Sequence, residues 1–243
     1  MSTPIRWGLL GAAAFARNQM GPAIHAARGA ELAALATSDP ARAAPFAAFA
    51  PGLRVHAGYD ALLADPEIDA VYIPLPNHLH AEWTEAALAA GKPVLTEKPI
   101  GMDVAEIDRL IAARDASGLL AAEAYMIVHH PQWQRARALV AEGAIGEVLH
   151  VDGAFSYDNR DPANIRNRKE TGGGGLRDIG VYPIGAARYV LGADLTEVTG
   201  ILRWENGVDT HVEAGALIGA TRFTFRVSTR QSLWQEMTFH GAT

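Results

Sequence analysis

The chain has 243 residues, 49% of them apolar, enough for one large core or two modest ones, and two domains is the better expectation. It has no cysteine, which excludes disulfide scaffolds, thiolate nucleophiles and cysteine-held zinc or iron–sulfur clusters, and its net charge of -6 favours neither nucleic acid nor an acidic membrane surface. Apolar runs are broken by Gly, Pro or charge well short of a membrane span, and the N-terminus lacks the pattern of a signal peptide, so a soluble cytoplasmic protein is expected.

In chain order, residues 5–10 form an apolar run that meets Gly11 and then a helical stretch over 14–27, the pattern of a buried parallel strand feeding a helix. Residues 31–36 make a second strand, and Asp39-Pro40 opens an alanine-rich helix to Phe49, with aspartate suited to the N-cap and proline to the first turn. A short helix at 60–63 precedes a third strand at 69–75. A helix at 80–90 follows, then a strand at 92–97, a helix at 104–117 and a strand at 119–124. Repeated strand–helix alternation implies a parallel sheet covered on both faces. The pattern changes after residue 124, where the domain boundary is placed. Helices are expected at 132–142 and 178–191, and strands at 148–157, 198–204, 210–218, 221–227 and 233–240, with Asn206-Gly207 marking a hairpin. The fold class expected is therefore an α/β domain over residues 1–124 followed by an α+β domain over 125–243 with an antiparallel sheet.

Three segments carry chemistry. Gly11-Ala12-Ala13-Ala14-Phe15-Ala16 is a variant of the G-x-G-x-x-G/A fingerprint of a Rossmann dinucleotide site, with Gly11 at the tight turn, Ala13 in place of the middle glycine, and Ala16 where helix packs on strand. The plainer alternative is an ordinary glycine turn. At the end of the second strand an NAD enzyme would place a carboxylate against the ribose; Thr37 stands there, and Thr37, Ser38 and Arg42 together suit a 2′-phosphate, favouring NADP over NAD. Asp39 argues the other way unless it serves only as a helix cap. Glu97-Lys98-Pro99 closes the fourth strand, on the edge where open α/β sheets bind ligands. In the glycine run 172–175 and the segment after it, Asp178 and Tyr182 stand four apart, on one helix face. Taken singly, Lys98 also reads as a surface ion-pair partner, Asp178 as an N-cap and Tyr182 as a core aromatic.

In this order the residues Trp7-Gly8-Leu9-Leu10-Gly11-Ala12-Ala13, Pro76-Asn77-His78-Leu79-His80, Glu97-Lys98-Pro99, Gly143-Ala144-Ile145-Gly146-Glu147-Val148, Asn164-Ile165-Arg166 and Gly174-Gly175-Leu176-Arg177-Asp178-Ile179-Gly180-Val181-Tyr182 resemble the glucose–fructose oxidoreductase, inositol dehydrogenase and MocA-type oxidoreductase family over nearly the whole chain. Many relatives carry histidine where Tyr182 stands, so the chain looks like the tyrosine branch of aldose and dihydrodiol dehydrogenases, which commonly prefers NADP. The resemblance implies catalytic roles for Lys98, Asp178 and Tyr182. It implies cofactor contacts at Gly11, Ala12, Ala13, Phe15, Ala16, Thr37, Ser38, Arg42, Pro74, Pro76, Asn77, His80, Glu97 and Lys98, although His78 and His80 also read as structural histidines. Asn164, Arg166 and Asp178 are expected to bind substrate, and no metal ligands are expected.

The implied reaction is hydride transfer between nicotinamide and a sugar or related polyol. Tyr182 acts as acid or base, and Lys98, if within a few ångströms, lowers its pKa. The alternative is a non-catalytic cofactor-binding sensor or scaffold, or an inactive fragment. The chain ends at Thr243 where relatives continue with further strands and a helix, so the second sheet looks cut short and the 233–240 strand is expected as an exposed edge. A homo-oligomer through that sheet is the expected partner arrangement if the sheet is complete; neither nucleic acid nor membrane is expected as a partner.

Overall fold

Leu9 and Leu10, at the end of β1 (Ile5–Leu10), point to opposite sides of their strand and both are fully buried, so this strand needs cover on each face. The computed structural model describes residues 3–243 and divides into two units between Ala124 and Tyr125. In the first unit β1 is joined by β2 (Ala30–Ala36), β3 (Arg54–His56), β4 (Ala70–Ile73), β5 (Val94–Glu97) and β6 (Ala121–Ala124) in a parallel sheet of order β3-β2-β1-β4-β5-β6. Successive residues serve opposite cores. Leu10, Ala34, Ala36, Val71 and Ile73 meet one apolar cluster, and Leu9, Leu35 and Tyr72 the other. The helices α1 (Gly21–Ala26), α2 (Tyr59–Leu63), α3 (His80–Ala89) and α4 (Val104–Ser117) complete the unit. Asp103 caps α4 by accepting from the Glu106 amide, the Glu106 carboxylate accepts from the Met102 amide, and Gly118 ends the helix at φ 66°.

The strand order reverses between β1 and β4. Ligands of open α/β sheets bind at the carboxyl ends of the strands beside such a reversal, and this topology brings Gly11, Thr37, Pro74–Asn77 and Glu97–Lys98 to that edge.

Two local expectations are corrected. The stretch from Asp39-Pro40 to Phe49 is not one helix but two short 3₁₀ turns, Pro40–Arg42 and Ala44–Ala48, because Pro45 lacks the N–H a continuous helix needs and its ring collides with the preceding turn. The helix over 14–27 contains a π-type turn, Ala16–Met20, before α1. The three-residue β3 was not foreseen, since Arg-Val-His carries no apolar run.

The second unit holds α5 (Pro131–Ala141), β7 (Val148–Asp158), α6 (Val181–Leu191), β8 (Leu195–Glu205), β9 (Val208–Ile218), β10 (Thr221–Ser228) and β11 (Arg230–Gly241). Asn206 and Gly207 take φ 51° and 78° in the β8–β9 turn, as a tight hairpin requires. The sheet runs β11-β7-β10-β9-β8 and is mixed rather than wholly antiparallel: β10 lies parallel to β7. The intervening helix and hairpin bring β10 back in the direction of β7, a crossover that local strand patterns do not encode. Val151, Phe223, Phe225 and Val227 pack with Ile179 and Ala187 beneath α6. The outer strands β11 and β8 leave Leu233, Trp234, Ile201 and Trp204 exposed. No helix among the described residues is long and apolar enough to cross a membrane.

Candidate active site

β1 delivers the chain into Gly11, whose φ of 97° is left-handed and whose amide donates to Ala36 O at 2.9 Å, so β2 fixes the turn. Ala12 and Ala13 lie at the margin of the core and Ala16 is fully buried against it, while Phe15 is 47% exposed on the first helical turn. The opening amides of a helix have no acceptors within it, which makes the segment from Ala12 to Phe15 a natural anion cradle. Arg42 adds a cation there, its guanidinium donating to Ala12 O at 3.0 Å. Thr37 is buried and its hydroxyl accepts from the Asp39 amide at 3.3 Å, and Ser38 is exposed beside it. The Asp39 carboxylate accepts from the Ala41 amide at 3.0 Å, so it caps the Pro40–Arg42 turn. A glycine turn, helix-opening amides and an arginine on the turn itself make a donor set that suits a phosphate-bearing dinucleotide.

At the ends of β4 and β5, Pro74 is buried, and Pro76 opens a short turn at Asn77–Leu79. His80 is buried, with Nδ1 2.7 Å from Pro99 O and Nε2 2.7 Å from Leu75 O. Both ring nitrogens face backbone carbonyls, so His80 lies between the two loops and ties them together. This is the structural reading of His80 that the sequence also offers. Burial pushes its imidazole pKa down, against the pull of those two carbonyls. Glu97 accepts from the hydroxyl of fully buried Tyr72 at 2.6 Å, and Oε2 of Glu97 accepts from the Lys98 amide at 3.3 Å. The carboxylate is thus fixed by β4, and Lys98 follows it on the strand edge.

In the second unit the glycine run has an internal cause. A Cβ on Gly173 would collide with Arg166 O, and one on Gly174, at φ 124°, would collide with Asp209 Oδ1. Asp209 is buried and its Oδ2 accepts from the Leu176 amide at 2.6 Å, at the head of the π-type turn Leu176–Gly180 that runs into α6. Burial pushes the Asp209 carboxyl up, opposed by that amide. Tyr125 also holds α6, its hydroxyl donating to Val181 O at 2.8 Å in a space that only glycine at 185 leaves open. The sequence reading names neither Asp209 nor Tyr125; the room each needs is left by Gly174 and Gly185.

Asp178 is 8% exposed, and its Oδ2 accepts from Tyr157 Oη at 2.6 Å and from Arg166 Nε at 2.9 Å. Tyr182 stacks on Tyr125 with centroids 6.3 Å apart and lies 5.4 Å from the ring of Phe155. Phe155 and Tyr157 are two apart on β7, a rise of about 6.7 Å. Asp178 lies in the π-type turn and Tyr182 in the first turn of α6 that continues it. One face of β7 therefore seats both. Asn164 accepts from the Arg166 amide at 3.0 Å, so it shapes the loop that carries Arg166.

A parallel sheet of this order with a glycine turn at its reversal defines a dinucleotide-binding α/β protein with an appended α+β unit. Residues 5–125 match the oxidoreductase family with an NAD-binding Rossmann fold, and residues 133–243 match the GFO/IDH/MocA C-terminal domain. The chain belongs to the glucose–fructose oxidoreductase, inositol dehydrogenase and MocA family. It is 41% identical over 238 residues to dTDP-3,4-didehydro-2,6-dideoxy-alpha-D-glucose 3-reductase of Actinomadura kijaniata, spanning 98% of this chain and 69% of the relative. It is 35% identical over 239 residues to D-xylose 1-dehydrogenase (NADP(+)) 2 of Haloferax volcanii, covering 92% and 73%. The crystal structure of KijD10, a 3-ketoreductase from Actinomadura kijaniata in complex with NADP and TDP-benzene, superposes with a TM-score of 0.93 at 38% identity over 99% of this chain and 75% of that one. KijD10 has also been solved with a tyrosine replaced by phenylalanine and with a lysine replaced by alanine.

Proposed function

We propose that this oxidoreductase uses NADP and transfers hydride to or from a carbon bearing oxygen on a sugar or related polyol. The observation that carries the reading is the seating of Asp178 and Tyr182 on one face of β7, which gives two polar side chains of the second unit fixed directions. The lysine and tyrosine substituted in KijD10 are separated by the same length of chain as Lys98 and Tyr182, which supports assigning the chemistry to these two. Relatives named as a nucleotide-sugar ketoreductase and a xylose dehydrogenase support a sugar substrate.

When bound, the cofactor supplies the hydride chemistry. The chain would hold it through the Gly11–Ala16 turn, Thr37, Ser38, Arg42, the Pro74–Asn77 segment and Glu97–Lys98. Arg42 favours a 2′-phosphate, and Asp39, committed to capping, does not oppose one. Tyr182 Oη donates or accepts the proton at the substrate oxygen, and Lys98 supplies positive charge for that step. Asp178 and Arg166 orient substrate hydroxyls, and Asn164 sets the Arg166 loop. The reading keeps the cytoplasmic location, and self-association through the second sheet is part of it.

The test is absorbance of reduced nicotinamide with NADP or NAD and a panel of aldoses, dihydrodiols and nucleotide-linked keto-sugars. Turnover with a sugar, lost by 100-fold or more in Tyr182→Phe and in Lys98→Met, is expected from the usual weight of positioned acid–base groups. Near-normal turnover in both variants, with cofactor binding intact, contradicts the assignment.

A further inference from the structure

β7 carries a tyrosine to which the proposed chemistry gives no part in proton or hydride transfer. Tyr157 rises from the core face of the strand and its hydroxyl donates a hydrogen bond to Asp178 Oδ2 at 2.6 Å, the oxygen that also accepts from Arg166 Nε at 2.9 Å. The two donors differ in kind. Arg166 sits on a surface loop, its side chain 45% exposed, whereas Tyr157 is anchored in the sheet. Burial and the adjacent Asp178 carboxylate push the Tyr157 phenol far above its ordinary value, with Arg166 and Arg230 opposing, so it stays a donor at any working pH. A phenol held protonated against a carboxylate is placed to keep that carboxylate ionised and aimed.

We infer that Tyr157 is a positioning residue that fixes the direction and charge of Asp178; its consequence for turnover rests on the function proposed above. Asp178 lies in the turn leading into α6, and Phe155, two residues before Tyr157, packs on Tyr182, so β7 sets the register of both groups.

Tyr157→Phe keeps the ring in the core and removes only the donor. The first readout is the titration of Asp178 by carboxyl carbon NMR in aspartate-labelled protein, which needs no turnover. Loss of a donor to the charged form moves the Asp178 midpoint to higher pH in the variant. The second is kinetic: KM for the sugar rises on the order of ten-fold, the acid limb of kcat/KM moves up in pH, and NADP binding is unchanged. In an Asp178→Asn background the same substitution adds little, because the two residues act as one unit. An unmoved Asp178 titration in Tyr157→Phe overturns the inference even if the enzyme turns over sugars. A moved titration in a protein that is silent with every sugar overturns the function and leaves the inference standing. If Tyr157→Phe does not fold, a protected phenolic proton resonance in the unaltered chain, lost in Asp178→Asn, makes the same decision. Its absence in the unaltered chain counts against the inference.

Discussion

Arg42 and Asp39 are three residues apart in the same turn, yet their charges are used differently: the carboxylate is spent on a backbone amide and the guanidinium reaches the glycine turn. Replacing Arg42 by alanine is expected to weaken NADP binding about ten-fold and NAD binding much less, since only NADP has the 2′-phosphate that the proposed charge-assisted contact would hold. Titration of both cofactors against the variant checks this; equal loss for the two would contradict it. Arg6 and Asp69 make a second residue-scale case, joining β1 to the start of β4 through the Arg6 side chain and amide. The Arg6 hydrogen bond holds the Asp69 carboxyl at about 2, below its ordinary 3.8. The native state therefore binds fewer protons than the unfolded state between these values, so the contribution is full above about pH 4 and is lost as pH falls through about 2. Asp69→Asn should lower the melting temperature at pH 6, with the difference shrinking toward pH 2. At this scale the sequence exposed the groups on its glycine-turn and Glu-Lys-Pro segments. It left His80 between two readings, because no local pattern shows that both its nitrogens meet carbonyls of distant loops.

The helical segment bearing Asp178 and Tyr182 depends on a carboxylate from another strand. Asp209 on β9 accepts from the Leu176 amide, and Gly174 leaves the room for it. Gly174→Ala has both a disfavoured φ and a collision with Asp209, so a loss of about 1–3 kcal/mol in stability is expected, with sugar turnover falling and NADP binding retained. Thermal melting alongside cofactor titration checks this, and an unchanged melting temperature would contradict it. The glycine run was visible in the sequence, but the residue it makes room for was not. Which residue fills such a space depends on strand register, and Asp209 lies far along the chain from the run it serves. For the same reason the parallel β7–β10 pair escaped a reading that found every strand of that sheet. The Pro40–Phe49 stretch failed differently, since its alanine content suggests one helix and Pro45 interrupts it.

At the scale of the whole molecule, the βα alternation and the glycine turn made most of the first sheet legible in advance, because the ends of β1 and β2 and the whole of β4 are buried apolar runs, whereas the Arg-Val-His of β3 is not. The second sheet exposes Leu233 and Trp234 on β11 and Ile201 and Trp204 on β8. Apolar side chains on unpaired edges favour association. Leu233→Lys with Trp234→Glu is expected to lower the sedimentation coefficient of concentrated protein toward that of a 25.9 kDa monomer without altering NADP binding. The central claim is that the chain moves hydride between NADP and a sugar with Tyr182 handling the proton. The most direct measurement is the reduced-nicotinamide absorbance change with purified protein, NADP(H) and the sugar panel, run beside Tyr182→Phe. Substrate-dependent change that is faster with NADP than NAD and is abolished in Tyr182→Phe is the predicted result; cofactor binding without any substrate-dependent change, or a Tyr182→Phe protein as fast as the unaltered chain, would contradict it.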